Sequence, residues 1–494
     1  MTRLPIILMT DAYKLHHREQ YPENTEYVYS TWTPRQSLVK GVDGVVVFGL
    51  QKFIKEFLID GFNESFFSRP KNEVVAEYSR VMKYGYFDQN PYTKHIEDLH
   101  DLGYLPLSIK SLPEGTVVPV RTPTTTFVNT DPRFFWLTNY LETLTSSELW
   151  PMSTSATLIY QYFKLSNKYL TDTVGNTEFG AFQNHNFSMR GIRGVDSSIS
   201  TDLAHILCSK GSDTILGMLS AEKWYGADIE KEFVSTSVFA TEHAVMCAGG
   251  MNERDTFLRL LTKVHPTGIL SIVSDTWDFW NVVGNILPTI KDVVMKREGK
   301  LVIRPDSGDP VKIVVGNPDA ENEWEKMGLV ESLWTIFGGT TNSKGYKELD
   351  AHIGAIYGDS ITLERAANIL EGLKQKGFAS NNIVFGVGSF TYNYNTRDTL
   401  GYAMKATMVV INGDEKQIYK APKTDSGVKK SQKGCVVVYK NTENGKIEYT
   451  DGHSIKSETI ASFGGNNLLR ETFRDGKLLI DETLSEIRAR LASQ

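Results

Sequence analysis

The sequence has little of several things that would settle its class at once. Three of its 494 residues are cysteine (Cys208, Cys247 and Cys435), and no two form a CxxC pair. That excludes a disulfide framework and a cysteine zinc site, and implies reduced thiols in a cytoplasmic chain. No stretch approaches the length of a membrane span. The apolar run in the opening MTRLPIILMTDAYK is shorter than a signal peptide's and is interrupted by Asp11. Low-complexity segments are missing, as are the HxxxH and HExxH spacings of histidine zinc sites. The charge excess is slight, 53 basic against 59 acidic residues for a net −6. Neither nucleic acid nor a membrane surface is therefore an expected partner.

What is present is a soluble globular composition, 40% hydrophobic and 23% charged, with aromatic residues at 11%. From about Gly180 to Gly388 a short apolar run, a polar turn and an amphipathic helix keep recurring. Examples are AHILCSKGSD before TILGMLSAEKWYG, and GILSIVSD before TWDFWNVVGNILPTI. KLVIRPDSG follows, and HIGAIYGDS precedes ITLERAANILEGLKQKG. About six such units predict an α/β fold, a parallel α/β barrel-like domain over 180–388. The helical repeat is clearest at Leu363, Ala366, Ala367, Ile369, Leu370 and Leu373. The flanks alternate instead, in TEYVYSTW, LPLSIKSLPEGTVVPV, YAMKATMVVING and CVVVYK. They predict an antiparallel β-rich α+β domain formed by both chain ends, 1–179 together with 389–494. The lysine-rich stretch 416–440 reads as a solvated hairpin loop.

In parallel α/β folds the ligand lies beyond the carboxyl ends of the strands. There the sequence places Asp213, then Glu242 with His243, then Ser274 with Asp275 and Asp278. Arg304, Asp306 and Ser307 come next, then Gly358 with Asp359, and last Gly386 and Gly388. Any one of these is as readily a helix cap. Six in succession that converge on one mouth are hard to explain by capping alone. Carboxylates, one cation and glycines open to phosphate oxygens suit a phosphorylated sugar with a divalent metal. LVIRPDSGDP poses the question most sharply, because an arginine and an aspartate at a buried strand end are costly without each other or a polar ligand.

With these residues laid out, the chain resembles the nicotinamide phosphoribosyltransferases of the type II phosphoribosyltransferase group. The likeness rests on TDAYKLHHREQYP at 10–22, NTDPRFFWLTNYLETL at 129–144, RGIRGVDSS at 190–198, and KGSDT at 210–214. It continues in SVFATEH at 237–243, SIVSDTWDFWN at 271–281, LVIRPDSGDP at 301–310, GDSITLE at 358–364 and TRDTLGYAMKAT at 396–407. The resemblance implies a transfer of phosphoribosyl from phosphoribosyl pyrophosphate to nicotinamide, with Mg2+, and with ATP as a coupled co-substrate. It implies a homodimer in which Phe187 and the neighbour's Tyr13 sandwich the pyridine ring. Asp213 would take the carboxamide NH2, and Arg304 the carboxamide or the pyrophosphate side. Arg190, Arg397 and Lys405 would bind phosphates, with Gly388 in the phosphate loop, while Asp306 would serve the ribose and Gly358 and Asp359 its surroundings; Ser274, at its strand end, is a further substrate-binding candidate. His243 would become phosphorylated, supported by Glu242 and Asp278. The residues holding the metal are not indicated.

This sequence departs from the family's pattern at Asn186, Ser360, Ser389, Phe390 and Ala403, which bears on the phosphate grip more than on the reaction. The alternative acceptor is nicotinate. A flavin-binding barrel oxidoreductase would not need Glu242 and His243 beside Asp278, and a non-catalytic relative would need a lost core residue.

Overall fold

The structure, a computed structural model, describes residues 4–358, 360–420, 431–456 and 467–494. It divides into two compact units, Met1–Thr157 with Ser220–Ala227 and Asn395–Gln494, and Leu158–Leu219 with Asp228–Tyr394. The sequence pattern changes at 179/180 and 388/389 instead. The helix Glu142–Thr173 runs across the unit boundary at Thr157, and Ser389–Asn393 lies just before the one at Tyr394. A continuous helix gives no break in pattern where a unit ends.

The first unit is built on a seven-stranded antiparallel sheet that takes strands from both ends of the chain. Its order is Asp414–Gln417, Tyr402–Ile411, Thr25–Pro34, Thr125–Asn129, Leu107–Ser111, Arg470–Arg474 and Lys477–Leu478. The two longest strands, Thr25–Pro34 and Tyr402–Ile411, pair in a register that sets Tyr29 opposite Met408 and Thr31 opposite Lys405. Both are buried along most of their length, so aromatic residues fill the space between layers. Trp32 stacks on Tyr402 at 5.1 Å, and Phe53, Phe62 and Phe66 complete a core that excludes water. Residues 421–430 of the lysine-rich stretch lie outside the described residues. The strands on its two sides belong to different sheets, Cys435–Lys440 pairing with Ile447–His453, so the expected hairpin does not join paired strands.

The second unit carries a seven-stranded parallel sheet. Its order is Gly211–Ser212, Asn184–Asn186, Ile383–Val387, Ile353–Tyr357, Glu298–Arg304, Thr267–Val273 and Phe239–Ala240. A further parallel bridge, Gly211 to Thr236, ties the first strand to the segment that enters the last, so the sheet curls round on itself. Leu301 and Ile303 face Leu270 and Ile272 on one side and Ile353 and Ala355 on the other. That is the buried apolar run expected of a central parallel strand. The helix Leu363–Gln375 is capped by Thr362, whose hydroxyl accepts from the Arg365 amide at 3.2 Å, and it buries Ala366, Ile369, Leu370 and Leu373.

Two strands differ from expectation. Ala204 and His205 end the helix Val195–His205, so of AHILCSKGSD only Gly211–Ser212 is strand. The seventh strand, Asn184–Asn186, was not legible, because three polar residues give no apolar run. No helix among the described residues is long and apolar enough to cross a membrane, and no disulfide joins Cys208, Cys247 or Cys435.

Candidate active site

Each parallel strand of the second unit turns polar where it ends, and these turns surround one opening. A cavity of about 770 Å³ extends from Phe187, Asp213 and Arg304 at the strand ends to Lys300 and Asn381 near the strand starts. Its walls are largely apolar, with Phe182, Phe233, Val302 and Ile356 among them. The bore of this barrel is thus open to a flat apolar ligand with polar groups at one end.

Asp213 follows Gly211–Ser212, and its amide donates to the Asn186 carbonyl at 3.0 Å. Its Oδ1 accepts from Ser237 Oγ at 2.5 Å and meets His185 Nε2 at 2.8 Å. Burial alone would raise its pKa. The bonds from His185 and Ser237, with the charges of His185 and Arg304, outweigh burial and hold the carboxyl below the ordinary aspartate range. Phe187 leaves the neighbouring strand with its amide donating to the Val387 carbonyl at 3.0 Å. Its ring lies 4.6 Å from the His185 ring.

Arg304 ends the central strand. One of its terminal nitrogens donates to the Thr241 carbonyl, while its Nε is buried without a protein partner. Burial pulls its pKa below the ordinary arginine value, and Asp306, Asp213 and Asp275 partly restore it. The charge of Arg190, exposed on the turn Met189–Gly191, opposes them. Gly358 has to be a glycine: a Cβ there would stand 2.5 Å from Asp306 Oδ1 and 3.3 Å from Arg304 Cδ.

His243 opens the short helix His243–Ala248 and meets Asp275 Oδ1 through Nε2 at 3.0 Å. The other oxygen of Asp275 accepts from the Asp306 amide at 2.8 Å and from Ser307 Oγ at 2.6 Å. Burial works to raise the Asp275 pKa, and the bonds from Ser307, Asp306 and His243 more than reverse it. The expected partners of His243 are placed otherwise. Asp278 caps the helix Phe279–Asn281 by accepting from the Asn281 amide at 3.0 Å. Glu242 is exposed in the N-cap position without a capping bond. The sequence offered three acids around His243, and the fold selects the one whose loop brings it within reach.

Ser274 is also placed otherwise. It is fully buried, its amide donates to the Arg304 carbonyl at 2.9 Å and its hydroxyl to the Ile272 carbonyl at 2.8 Å, so its polar groups are used within the sheet. Gly388 precedes the helix Ser389–Asn393 with extended backbone. Asp359 lies outside the described residues. Tyr13, Arg397 and Lys405 belong to the first unit. There Tyr13 is 61% exposed. Lys405 has its pKa lowered by burial first and by Arg35, Arg397 and Lys420 as well, with Glu142 opposing. Those four basic groups form a cationic cluster of the kind phosphate binds. His185 and Ser237 were not singled out in the sequence. The polar strand NHN hid the first, and the second directly follows the Gly211 bridge partner, Thr236, a pairing visible only in the folded chain.

Residues 182–477 match the nicotinate phosphoribosyltransferase (NAPRTase) family, and residues 5–109 match the N-terminal domain of nicotinamide phosphoribosyltransferase. A nicotinamide phosphoribosyltransferase of Acinetobacter baylyi is 46% identical over 98% of this chain and 96% of its own length. One of Mycoplasma pneumoniae is 37% identical over 86% of this chain and 94% of its own. Among solved structures, a nicotinate-nucleotide pyrophosphorylase from Pyrococcus furiosus superposes with a TM-score of 0.57 at 15% identity, covering 100% of this chain and 98% of that one. The human nicotinic acid phosphoribosyltransferase gives 0.52 at 15% identity, covering 98% and 93%. The two structures speak for the fold, and the sequence relatives for more: this chain belongs to the nicotinate phosphoribosyltransferase family, on the branch of the nicotinamide phosphoribosyltransferases.

Proposed function

We propose that this chain makes nicotinamide mononucleotide and pyrophosphate from nicotinamide and phosphoribosyl pyrophosphate, with the residues of the cavity mouth in the following roles. The observation that carries the choice of acceptor is Asp213, a carboxylate held in its ionised range at the mouth, beside Phe187 and Arg304. An ionised carboxylate only accepts hydrogen bonds, so it takes the NH2 of a carboxamide and repels the carboxylate of nicotinate. Phe187 lies along one face of the pyridine ring. The ring nitrogen is already a nucleophile, so no general base is needed. The site's work is to align that nitrogen with the anomeric carbon and to stabilise departing pyrophosphate.

Arg304 and Arg190 meet the pyrophosphate side, and Asp306 the ribose. Arg397 and Lys405, in their cationic cluster, bind phosphate. Among the described residues no cluster of three or more His, Cys, Asp or Glu forms a metal cage. Mg2+ would keep its waters and come in on substrate phosphates with one or two carboxylates. The ion's part is to neutralise charge building on the leaving pyrophosphate.

His243 takes the γ-phosphoryl group of ATP. With Nε2 directed at Asp275, Nδ1 keeps the lone pair that attacks phosphorus, ADP leaves, and water later releases phosphate. The protein works as a homodimer. Tyr13 is too exposed for a core ring, and a second copy would cover it. The exposed thiol of Cys247 suits the reducing cytoplasm.

Incubation with phosphoribosyl pyrophosphate, Mg2+ and either nicotinamide or nicotinate, followed by product mass, tests the reading. The amide mononucleotide should dominate, and acid mononucleotide as the main product would overturn it.

A further inference from the structure

Asp213 has two carboxylate oxygens, and the protein treats them differently. Oδ1 is held twice, by Ser237 Oγ at 2.5 Å and by His185 Nε2 at 2.8 Å. Neither bond goes to Oδ2, and the side chain as a whole is 43% exposed. Its orientation is therefore set from one side only, with the other oxygen left toward the cavity. Of the two anchors, Ser237 is exposed, whereas His185 is buried within the strand Asn184–Asn186. His185 is also fixed by what surrounds it. A Cβ at Gly211 would come within 2.8 Å of its Nδ1, so the strand that leads into Asp213 makes room for this ring by having no side chain at 211. On its other side the ring packs against Phe187 at 4.6 Å. One imidazole thus touches both groups assigned to nicotinamide, the aromatic wall and the carboxamide acceptor.

We infer that His185 is a positioning residue for nicotinamide recognition, acting through Asp213: by donating from Nε2 to Oδ1 it aims Oδ2 at the carboxamide and keeps Phe187 at the right distance from it. The inference deepens the function proposed above and rests on it. A carboxylate turned about its own axis offers its oxygens to a ligand at poor angles, and hydrogen bonds weaken steeply with misalignment. Phosphoribosyl pyrophosphate has no share in this contact, so the effect should be confined to the pyridine substrate.

Steady-state kinetics on His185→Leu, His185→Gln and Ser237→Ala test it. Leucine fills the space without a donor, whereas glutamine places an N–H near the position of Nε2. In His185→Leu the KM for nicotinamide should rise about ten- to a hundredfold, as for a lost hydrogen bond to a charged group. The KM for phosphoribosyl pyrophosphate should stay within about twofold, and glutamine should recover most of the loss. Ser237→Ala should give the same selective pattern in smaller measure, and because the site is exposed it folds even if His185→Leu does not. In an Asp213→Asn background His185→Leu should add little, since the group it positions is already altered.

Three results would each overturn the inference. One is an unchanged nicotinamide KM in both His185→Leu and Ser237→Ala. Another is an equal rise for both substrates, which marks a general disturbance of the site. The third is a full additional loss in the Asp213→Asn background. A wild-type protein that makes no mononucleotide would instead overturn the function itself, and the two failures are told apart by that control.

Discussion

The second unit contains two histidine–aspartate pairs at its strand ends, and they are built the opposite way round. In one, the His185 side chain is 11% exposed and Asp213 43%. In the other, His243 is 47% exposed and Asp275 5%. The first pair hides the imidazole and presents a carboxylate; the second hides the carboxylate and presents an imidazole. In each, the inner member is held by the fold, His185 by its strand and Asp275 by bonds from Asp306 and Ser307. In the proposed function the same two side chains serve as a hydrogen-bond acceptor for recognition in one place and as a nitrogen nucleophile in the other. The order of burial decides which.

The largest expected effect comes from removing the outer member of the second pair. His243→Ala should abolish ATP turnover and leave slow ATP-independent synthesis of the mononucleotide, measured as ADP and product in the same reaction. Asp275→Asn, which touches only the hidden member, should lower ATP turnover about ten- to a hundredfold, the range of a lost hydrogen bond to a charged group. ATP consumption in step with product in His243→Ala would remove the chemical role from this pair. It would leave the comparison a matter of packing.

The outer member of the first pair is the one proposed to set selectivity. Asp213→Asn relieves the repulsion of nicotinate and weakens the grip on nicotinamide. The ratio of their kcat/KM values should therefore narrow by about a hundredfold, the size of several kcal/mol of like-charge contact. A ratio that holds steady in the folded variant would make Asp213 a turn residue and no more. Whether this corner is completed by another copy of the chain is a separate question. Tyr13→Ala and Arg304→Ala chains, each inactive alone, should recover about a quarter of wild-type activity when subunits exchange freely in equal amounts, because half the dimers are hybrids with one intact site each. No recovery after verified exchange would place the whole site in one chain.

These pairs also mark how far the sequence could be read. Arg304 directly follows the apolar run LVI, and His243 and Asp306 stand three residues beyond theirs, so a strand that turns polar at its end is visible without a structure. The partners were harder. His185 lies in a three-residue polar strand that owes its place to neighbours on both sides, Ile383–Val387 and Gly211–Ser212, and nothing local marks NHN as strand. Asp275 and Asp278 sit three residues apart in one loop, both acidic and both near a strand end. One braces His243 and the other caps a helix, and that division depends on how the loop turns, which its composition does not encode. The antiparallel unit was legible from alternation because its strands are long. The boundaries within helices were not.

A third aspartate gives the smallest and cleanest test of the comparison. Asp202 lies behind Asp213, completely buried, with Oδ1 accepting from Asn186 Nδ2 and Ser212 Oγ at 2.6 Å each. Its Oδ2 has no partner. It has two donors, as Asp213 does, but no histidine. Here burial prevails, with the charge of Asp213 adding to it, and the pKa is pushed up from 3.8 to about 7. Both donors are neutral and cannot offset the loss of water around a charge, whereas a basic partner can. The consequence for stability has a definite sign. A carboxyl raised in the folded state favours folding fully below its unfolded value of 3.8, and that contribution is lost as the pH climbs through about 7. Asparagine at 202 cannot ionise, so whatever constant cost Asp202→Asn brings, the variant should gain on the wild type between pH 5 and pH 8. By unfolding temperature the gain should be about one to three degrees, small because the molecule is large. Asp213, held low first by His185, and Asp275, held low by Ser307, the Asp306 amide and His243, should show nothing in that window and should lose their contribution only as the pH falls below 3.8. A difference between Asp202→Asn and wild type that stays flat from pH 5 to pH 8 would mean that burial does not govern this carboxyl. The contrast between an aspartate with a histidine and one without would then fail.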